Sequence, residues 1–394
     1  MIRTFVLPLV TCVAFVGADV AGAAPVSRDD PEGAESNQRI ISSAAGSAVV
    51  VTAHPLATAA AHTMLMQGGD AVDALVAAQS VLAVVEPQSS GLGGGGFLLH
   101  WNAQQRQLDV LDGREQAPSA SRPNDLLKPD GQPLPWREAT SQLRAIGIPG
   151  TVALLWDAHQ RWGRLPWTTT FQPAITLARK GFRTTPRLLR SIRLAQRIGT
   201  RHSTEFDQLY RPGGELPRLN QVFRNPALGD TLEQIARDGG SSFYDGALAA
   251  RILKGIAELG SQERAFQGWA AADLKNYTVI RRHPVCHPIQ RWQLCTVPPP
   301  SGGGLAILQT LALLEATGPM SNPKRPQTWQ RFATALQWAD ADRYYWVNDP
   351  SDWPVPTKGL LTPRYLRGRA KALLDQPASI PGPGLPPGRS YFPF

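Results

Sequence analysis

The chain has 394 residues, 42% of them apolar and 18% charged, with 40 Lys+Arg against 31 Asp+Glu for a net charge of +9. That apolar share supports a packed core and excludes a disordered or collagenous chain, and the length allows two domains or one large one. Of the basic residues 33 are Arg, spread along the chain rather than gathered into tails, so the charge by itself names no anionic partner.

Met1–Ala23 reads as a secretory signal, with Arg3 as the positive start, Phe5–Val16 as the apolar stretch and Ala21-Gly22-Ala23 as the cleavage site. The uncharged run Thr4–Ala18 is 15 residues long and broken by Pro8, too short to span a bilayer. The expected destination is therefore secreted or periplasmic, with no membrane span. A lipid anchor at Cys12 is the weaker alternative. Residues 24–47 are small and polar and read as a flexible lead-in.

Val49–Val51 is predicted as a strand. Ala57, Ala60, Ala61 and Met64 give helical spacing over His54–Gln67, which Gly68-Gly69 ends. Asp70 caps a second predicted helix that runs to Val85 and stops at Glu86-Pro87. Phe97–Trp101 and Leu108–Leu111 are predicted as paired strands. Between helix and strand, Gly91–Gly96 satisfies G-x-G-x-x-G, but a dinucleotide loop follows a strand and opens a helix, the reverse of the order here. What remains is a run of four glycines, Gly93, Gly94, Gly95 and Gly96, that permits close backbone approach and unusual dihedrals. Arg114 ends the second strand near this loop. A guanidinium there can grip a carboxylate with two prongs, although taken alone a structural ion pair is the simpler reading.

Thr151–Arg161, Gln172–Lys180 and Pro186–Gly199 are predicted helices, the last capped by Thr185. Its Arg187, Arg190, Arg193 and Arg197 read as a solvated basic stripe, and nucleic acid is not an expected partner. Of three cysteines, Cys12 lies in the signal. Cys286 and Cys295 flank two short predicted strands, and a cross-strand disulfide is preferred to a metal site built from His283, Cys286 and His287, which offers only three irregularly spaced ligands. No metal and no cofactor are expected. Pro298–Gly304 leads into an apolar helix over Leu305–Leu314, with Ser301 as loop or helix cap because no partner base is identifiable. There is no G-x-S-x-G, H-E-x-x-H or Walker signature, and the seven His are dispersed. The Pro- and Gly-rich residues 371–394 are expected to be an extended, unpacked tail, leaving 48–370 as the main domain.

Seven segments follow one another along the chain: Gly68-Gly69-Asp70-Ala71-Val72-Asp73-Ala74, Gly91 to Phe97, Arg114-Glu115-Gln116-Ala117-Pro118, Gly147-Ile148-Pro149-Gly150-Thr151-Val152, Pro173-Ala174-Ile175 through Gly181-Phe182, Pro298–Gly304 and Ala339-Asp340-Ala341-Asp342-Arg343. Together they resemble the large chain of the γ-glutamyltransferase (glutathione hydrolase) family. The resemblance implies an α+β N-terminal-nucleophile hydrolase fold, an αββα sandwich incomplete without the small subunit. In such a precursor a Thr becomes the first residue of the small chain after self-cleavage. Its hydroxyl attacks the γ-glutamyl amide, and its freed α-amine, with a reference pKa of about 7.7–8.0, serves as base. The group then passes to water or to an amino acid.

By the same resemblance Arg114 matches the Arg that binds the substrate α-carboxylate, which reverses the simpler reading given above. Gly93–Gly96 would shape the pocket wall. The implied partners are a Thr-initiated small subunit, glutathione and other γ-glutamyl compounds. The Thr-Thr-His processing site is not found, the last Thr being Thr362. The expectation is therefore that no catalytic residue lies in this chain and that it is inactive and aggregation-prone alone, the reading frame being interrupted or the small chain separately encoded. Two other readings stand beside it: a non-catalytic remnant or γ-glutamyl-binding protein, and a cephalosporin-acylase-like relative.

Overall fold

Two helix caps establish the start of the fold. The computed structural model describes residues 48–198, 204–260, 268–318, 322, 324–375 and 380–389, so the expected signal, the lead-in and residues 390–394 lie outside the described residues. Helix α1 spans Pro55–Met66 and α2 Ala71–Val85. The His54 Nδ1 accepts the Leu56 amide at 3.2 Å. Asp70 accepts the Val72 amide at 2.8 Å while Asp73 accepts that of Asp70 at 2.8 Å, a reciprocal box that satisfies donors the helix leaves open. No strand forms at Val49–Val51. Val50 packs on Ala61, Ala74 and Ala78, but Val49 and Val51 stand 85% and 87% exposed, and an extended segment needs a neighbour for its backbone groups.

β1 (Gly96–Asn102) and β2 (Gln107–Gly113) form an antiparallel hairpin in register from Gly96↔Gly113 to Asn102↔Gln107. The short α3 (Trp136–Thr140) follows, then α4 (Thr151–Trp162), α5 (Trp167–Lys180), β3 (Phe182–Arg183), α6 (Pro186–Ile198), α7 (Thr204–Tyr210), β4 (Val222–Phe223), α8 (Pro226–Asp238), α9 (Ala247–Gly260) and α10 (Ala271–Lys275). α5 begins at Trp167, ahead of the expected Gln172, and runs through Pro173. The missing proline N–H leaves the Thr169 carbonyl without its helical donor. The buried face of Trp167, Phe171, Ala174 and Ile175 and the bond from Trp167 Nε1 to the Ile235 carbonyl at 3.0 Å outweigh that loss. The main core joins α1, α2, α4, α5 and α8 to the buried side of the hairpin through Val76, Leu98, Leu111, Phe171 and Leu232.

β5 (Ile280–Arg282) pairs antiparallel with β2, giving a sheet of order β1-β2-β5 whose edges are β1 and β5. β6 (Val285–Ile289) and β7 (Trp292–Thr296) make a separate hairpin. α11 (Gly302–Ala316), apolar on nearly every side, is buried and packs with α12 (Pro326–Trp346), α13 (Thr357–Leu360) and α14 (Pro363–Asp375).

The described part of the segment expected as an unpacked tail is packed. Residue 371 lies within α14, and residues 380–389 fold back onto α12. Asp342, almost fully buried, accepts the Gly384 amide at 2.8 Å, Tyr365 Oη at 2.7 Å, Gln309 Nε2 at 3.1 Å and an Arg369 nitrogen at 3.0 Å. A buried carboxylate requires such donors, and the tail backbone supplies one of them.

Candidate functional site

Arg114 is the first residue after β2, and its backbone is held at both ends. The N–H donates to Asp112 Oδ1 at 2.9 Å. The carbonyl accepts the Tyr277 hydroxyl at 2.7 Å. The second Asp112 oxygen takes Arg282 Nε at 2.6 Å from β5. The guanidinium itself is free of that framework. It is 57% exposed, with Nη1 at 3.2 Å from Glu115 Oε2, whose side chain is 29% exposed. The arginine end of the pair faces solvent while Glu115 Oε2 is buried, so the guanidinium stays accessible to an incoming carboxylate.

The glycine run lies against this segment, and its four members are not equivalent. A Cβ on Gly95 would stand 2.5 Å from the Gly113 carbonyl and 2.8 Å from both the Glu115 amide and Glu115 Oε2, whereas one on Gly93 would meet nothing within 4 Å. The Gly94 carbonyl accepts the amides of Gly150 and Thr151 at 2.9 and 3.0 Å, which fastens the loop to the start of α4. None of the four has positive φ, so close approach, not unusual dihedrals, is what the run supplies. Upstream, Glu86 is almost fully buried and takes Arg187 Nε at 2.6 Å and the side-chain Nε2 of Gln88, while Arg187 Nη2 reaches Ser89 Oγ at 3.1 Å. Arg187, expected on a solvated stripe, is thus turned onto the base of the glycine loop. The buried carboxylate of Glu86 demands a cation.

Behind Arg114 two phenols stack, Tyr244 and Tyr277, with centroids 5.4 Å apart and planes at 15°. Tyr244 donates to the Pro149 carbonyl at 2.9 Å and accepts the Ala153 amide at 3.1 Å. Gly150 sits between the Gly113 carbonyl and the Tyr277 hydroxyl with no room for a side chain. Burial first, and then the Asp112 and Glu115 carboxylates, push the Tyr277 phenol well above the ordinary tyrosine range. Burial does the same to Tyr244, so both stay protonated and able to donate.

Away from Arg114, Cys286 faces Cys295 across β6 and β7 with Cα atoms 4.1 Å apart and the sulfurs bonded. That bond removes Cys286 from the alternative set of His283, Cys286 and His287. Ser301 occupies the cap position of α11 but its side chain makes no cap bond. Arg114 and Gly95, two of the residues singled out by sequence, come together through Glu115. Tyr244 and Tyr277 carried no sequence signal, because their partners lie dozens of residues away; for Asp112 and Glu86 the part that sequence could not show is the arginine each takes from a distance, Arg282 and Arg187.

The profile of the Gamma-glutamyltranspeptidase family matches residues 57–387. The chain belongs to this family. Among curated members, the glutathione hydrolase proenzyme of Bacillus subtilis (strain 168) is 33% identical over 340 residues, which is 86% of this chain and 57% of that protein. The chain thus spans a little over half the length of that relative. The gamma-glutamyltranspeptidase of Pseudomonas nitroreducens, solved in complex with L-DON, has a TM-score of 0.73 at 30% identity, covering 82% of this chain and 94% of that one. A cephalosporin acylase from Bacillus halodurans has a TM-score of 0.69 at 27% identity, covering 80% of this chain and 58% of that one. The family member described here has the expected α+β fold, that of the N-terminal-nucleophile hydrolases among which these transpeptidases and acylases fall.

Proposed function

We propose that this family member is the donor-binding part of an exported γ-glutamyltransferase, in which Arg114 receives the α-carboxylate of glutathione or another γ-glutamyl compound. The observation that supports it most is the Arg114 arrangement: a backbone fixed at both N–H and C=O, and a guanidinium left accessible beside a glycine loop. Two parallel N–H···O bonds to a carboxylate fix the plane and direction of the substrate. That holds the γ-carbonyl at a set distance for attack.

The nucleophilic Thr and its amine belong to the Thr-initiated small subunit, the part of the relatives' length that these 394 residues do not span. The exposed Leu99 and Trp101 on edge strand β1 fit a surface covered by such a partner. These residues alone are proposed to be without turnover. The decisive experiment pairs the chain with a Thr-initiated polypeptide and measures release from a chromogenic γ-glutamyl amide. Arg114→Lys is expected to weaken kcat/KM by about 1.5–3 kcal/mol, the scale of a hydrogen bond to a charged group. An unchanged kcat/KM rejects the carboxylate role, and no activity in any pairing rejects the enzyme reading. Calorimetry with glutathione on the chain alone tests the binding-protein alternative. The likeness to a cephalosporin acylase favours one further reading, an acylase substrate, which the same assay with a cephalosporin side-chain amide separates.

A further inference from the structure

We infer that Tyr277 is a positioning residue for Arg114, holding the arginine in the orientation that receives a substrate carboxylate. The inference rests on the proposed role of Arg114 and goes beyond it. Tyr277 lies 163 positions from Arg114, in the turn that joins α10 to β5. β5 pairs with β2 through Asp112↔Ile280, so the register carries the chain just before β5 past the end of β2, where Arg114 stands. The contact is therefore built by the sheet and is not a chance meeting of surface groups.

Arg114 has two backbone groups and each has one side-chain partner. Asp112 takes the N–H and is itself fixed by Arg282 at 2.6 Å. Tyr277 donates to the carbonyl at 2.7 Å. With the amide and carbonyl both fixed, φ and ψ at Arg114 are determined, and the Cα–Cβ bond points in one direction. Residue 114 is not within a strand or helix, so no backbone ladder does this for it. The Tyr277 ring is in turn fixed by stacking on Tyr244, which grips the Pro149 carbonyl and the Ala153 amide. The neighbouring Gly150 and Thr151 amides hold the Gly94 carbonyl. One rigid unit thus sets the distance between the guanidinium and the glycine loop. Tyr277→Phe keeps the ring and the stack and removes only the bond to Arg114.

The test uses the chain paired with its Thr-initiated polypeptide. Tyr277→Phe is expected to raise KM for a γ-glutamyl anilide about 3–10-fold, the loss of one hydrogen bond, with kcat within about twofold. In an Arg114→Ala background the same change is expected to leave KM where it is, since coupled residues are non-additive. Towards a γ-glutamyl anilide whose α-carboxylate is amidated, Tyr277→Phe should have no effect. An equal KM rise in both backgrounds, or an equal loss on the amidated substrate, shows a merely structural tyrosine and overturns the inference.

Hydrogen exchange on the paired chains gives an arm independent of catalysis. Tyr277→Phe should speed exchange at residues 114–116 while the amides of α2 keep their rates, and unchanged exchange there overturns the clamp. If no pairing is active, the reading of Arg114 fails and the recognition role falls with it, while the exchange result still reports whether Tyr277 holds Arg114.

Discussion

Placing a methyl group at Gly95 separates a spatial role for the glycine run from a flexible one. The added Cβ would meet two backbone atoms, the Gly113 carbonyl at 2.5 Å and the Glu115 amide at 2.8 Å, as well as Glu115 Oε2 at 2.8 Å. Backbone cannot swing aside as a side-chain end can, so the loop or the end of β2 has to shift. The cost of such overpacking is about 1–3 kcal/mol. At Gly93 the same methyl meets nothing within 4 Å and φ is not positive. The change there restricts only the unfolded chain, and is expected to stabilise by about 0.4–1 kcal/mol. The two alanines therefore differ in sign, two residues apart. Urea unfolding followed by tryptophan fluorescence, with 11 Trp as reporters, measures both as shifts in midpoint at constant slope. Because Gly95 abuts Glu115, Gly95→Ala in the active complex should also raise KM, and Gly93→Ala should not. Equal midpoint shifts for the two variants would refute the argument, since flexibility is lost alike at both sites and only space distinguishes them.

Three further outcomes are expected. Burial holds the His54 pKa below its ordinary 6.5, against the pull of Glu86, and His287 is lowered in the same way. The unfolded chain then binds more protons, so stability is complete above about pH 6.5 and falls as the pH drops below it; His54→Asn keeps a cap acceptor without titrating, and an equal loss of Tm between pH 7 and 5 in both proteins would refute this. Reducing the Cys286–Cys295 bridge, which closes a loop with a separation of 9, should cost at most about 2–3 kcal/mol, read from melts with and without reductant; a loss well above that would mean the bridge does more than constrain the unfolded chain. Asp342→Ala should cost about 3–5 kcal/mol, because it leaves the Arg369 charge without its partner, and should open 380–389 to protease; an unchanged cleavage pattern would show that Asp342 does not hold the segment.

Much of the fold was legible because its signals are local. Asp70 and Asp73 cap α2 three residues apart, a pattern visible in any window. Cys286 and Cys295 face each other because two short strands meet at a turn. Local signals failed where a distant partner decides. Pro173 argued for a helix start, yet the buried face of α5 carries the helix through it. Proline and glycine argued for a loose end, yet Asp342 draws Gly384 inward. Arg187 fits the spacing of a solvated stripe, yet Glu86, 101 positions away, turns it inward.

The sequence by itself determined the family, the Asp70 cap and the paired strands beside the glycine run, and it singled out Arg114 for attention, since each is carried by residue types at short, fixed spacing. Only the tertiary structure decided that Gly95 rather than Gly93 needs to be glycine, and that Tyr277 and Asp112 fix the backbone of Arg114. The physical reason is that a hydrogen bond or a steric limit acts through distances of 3 Å or so, and pairs that meet at that range across 163 residues leave no trace in composition or periodicity.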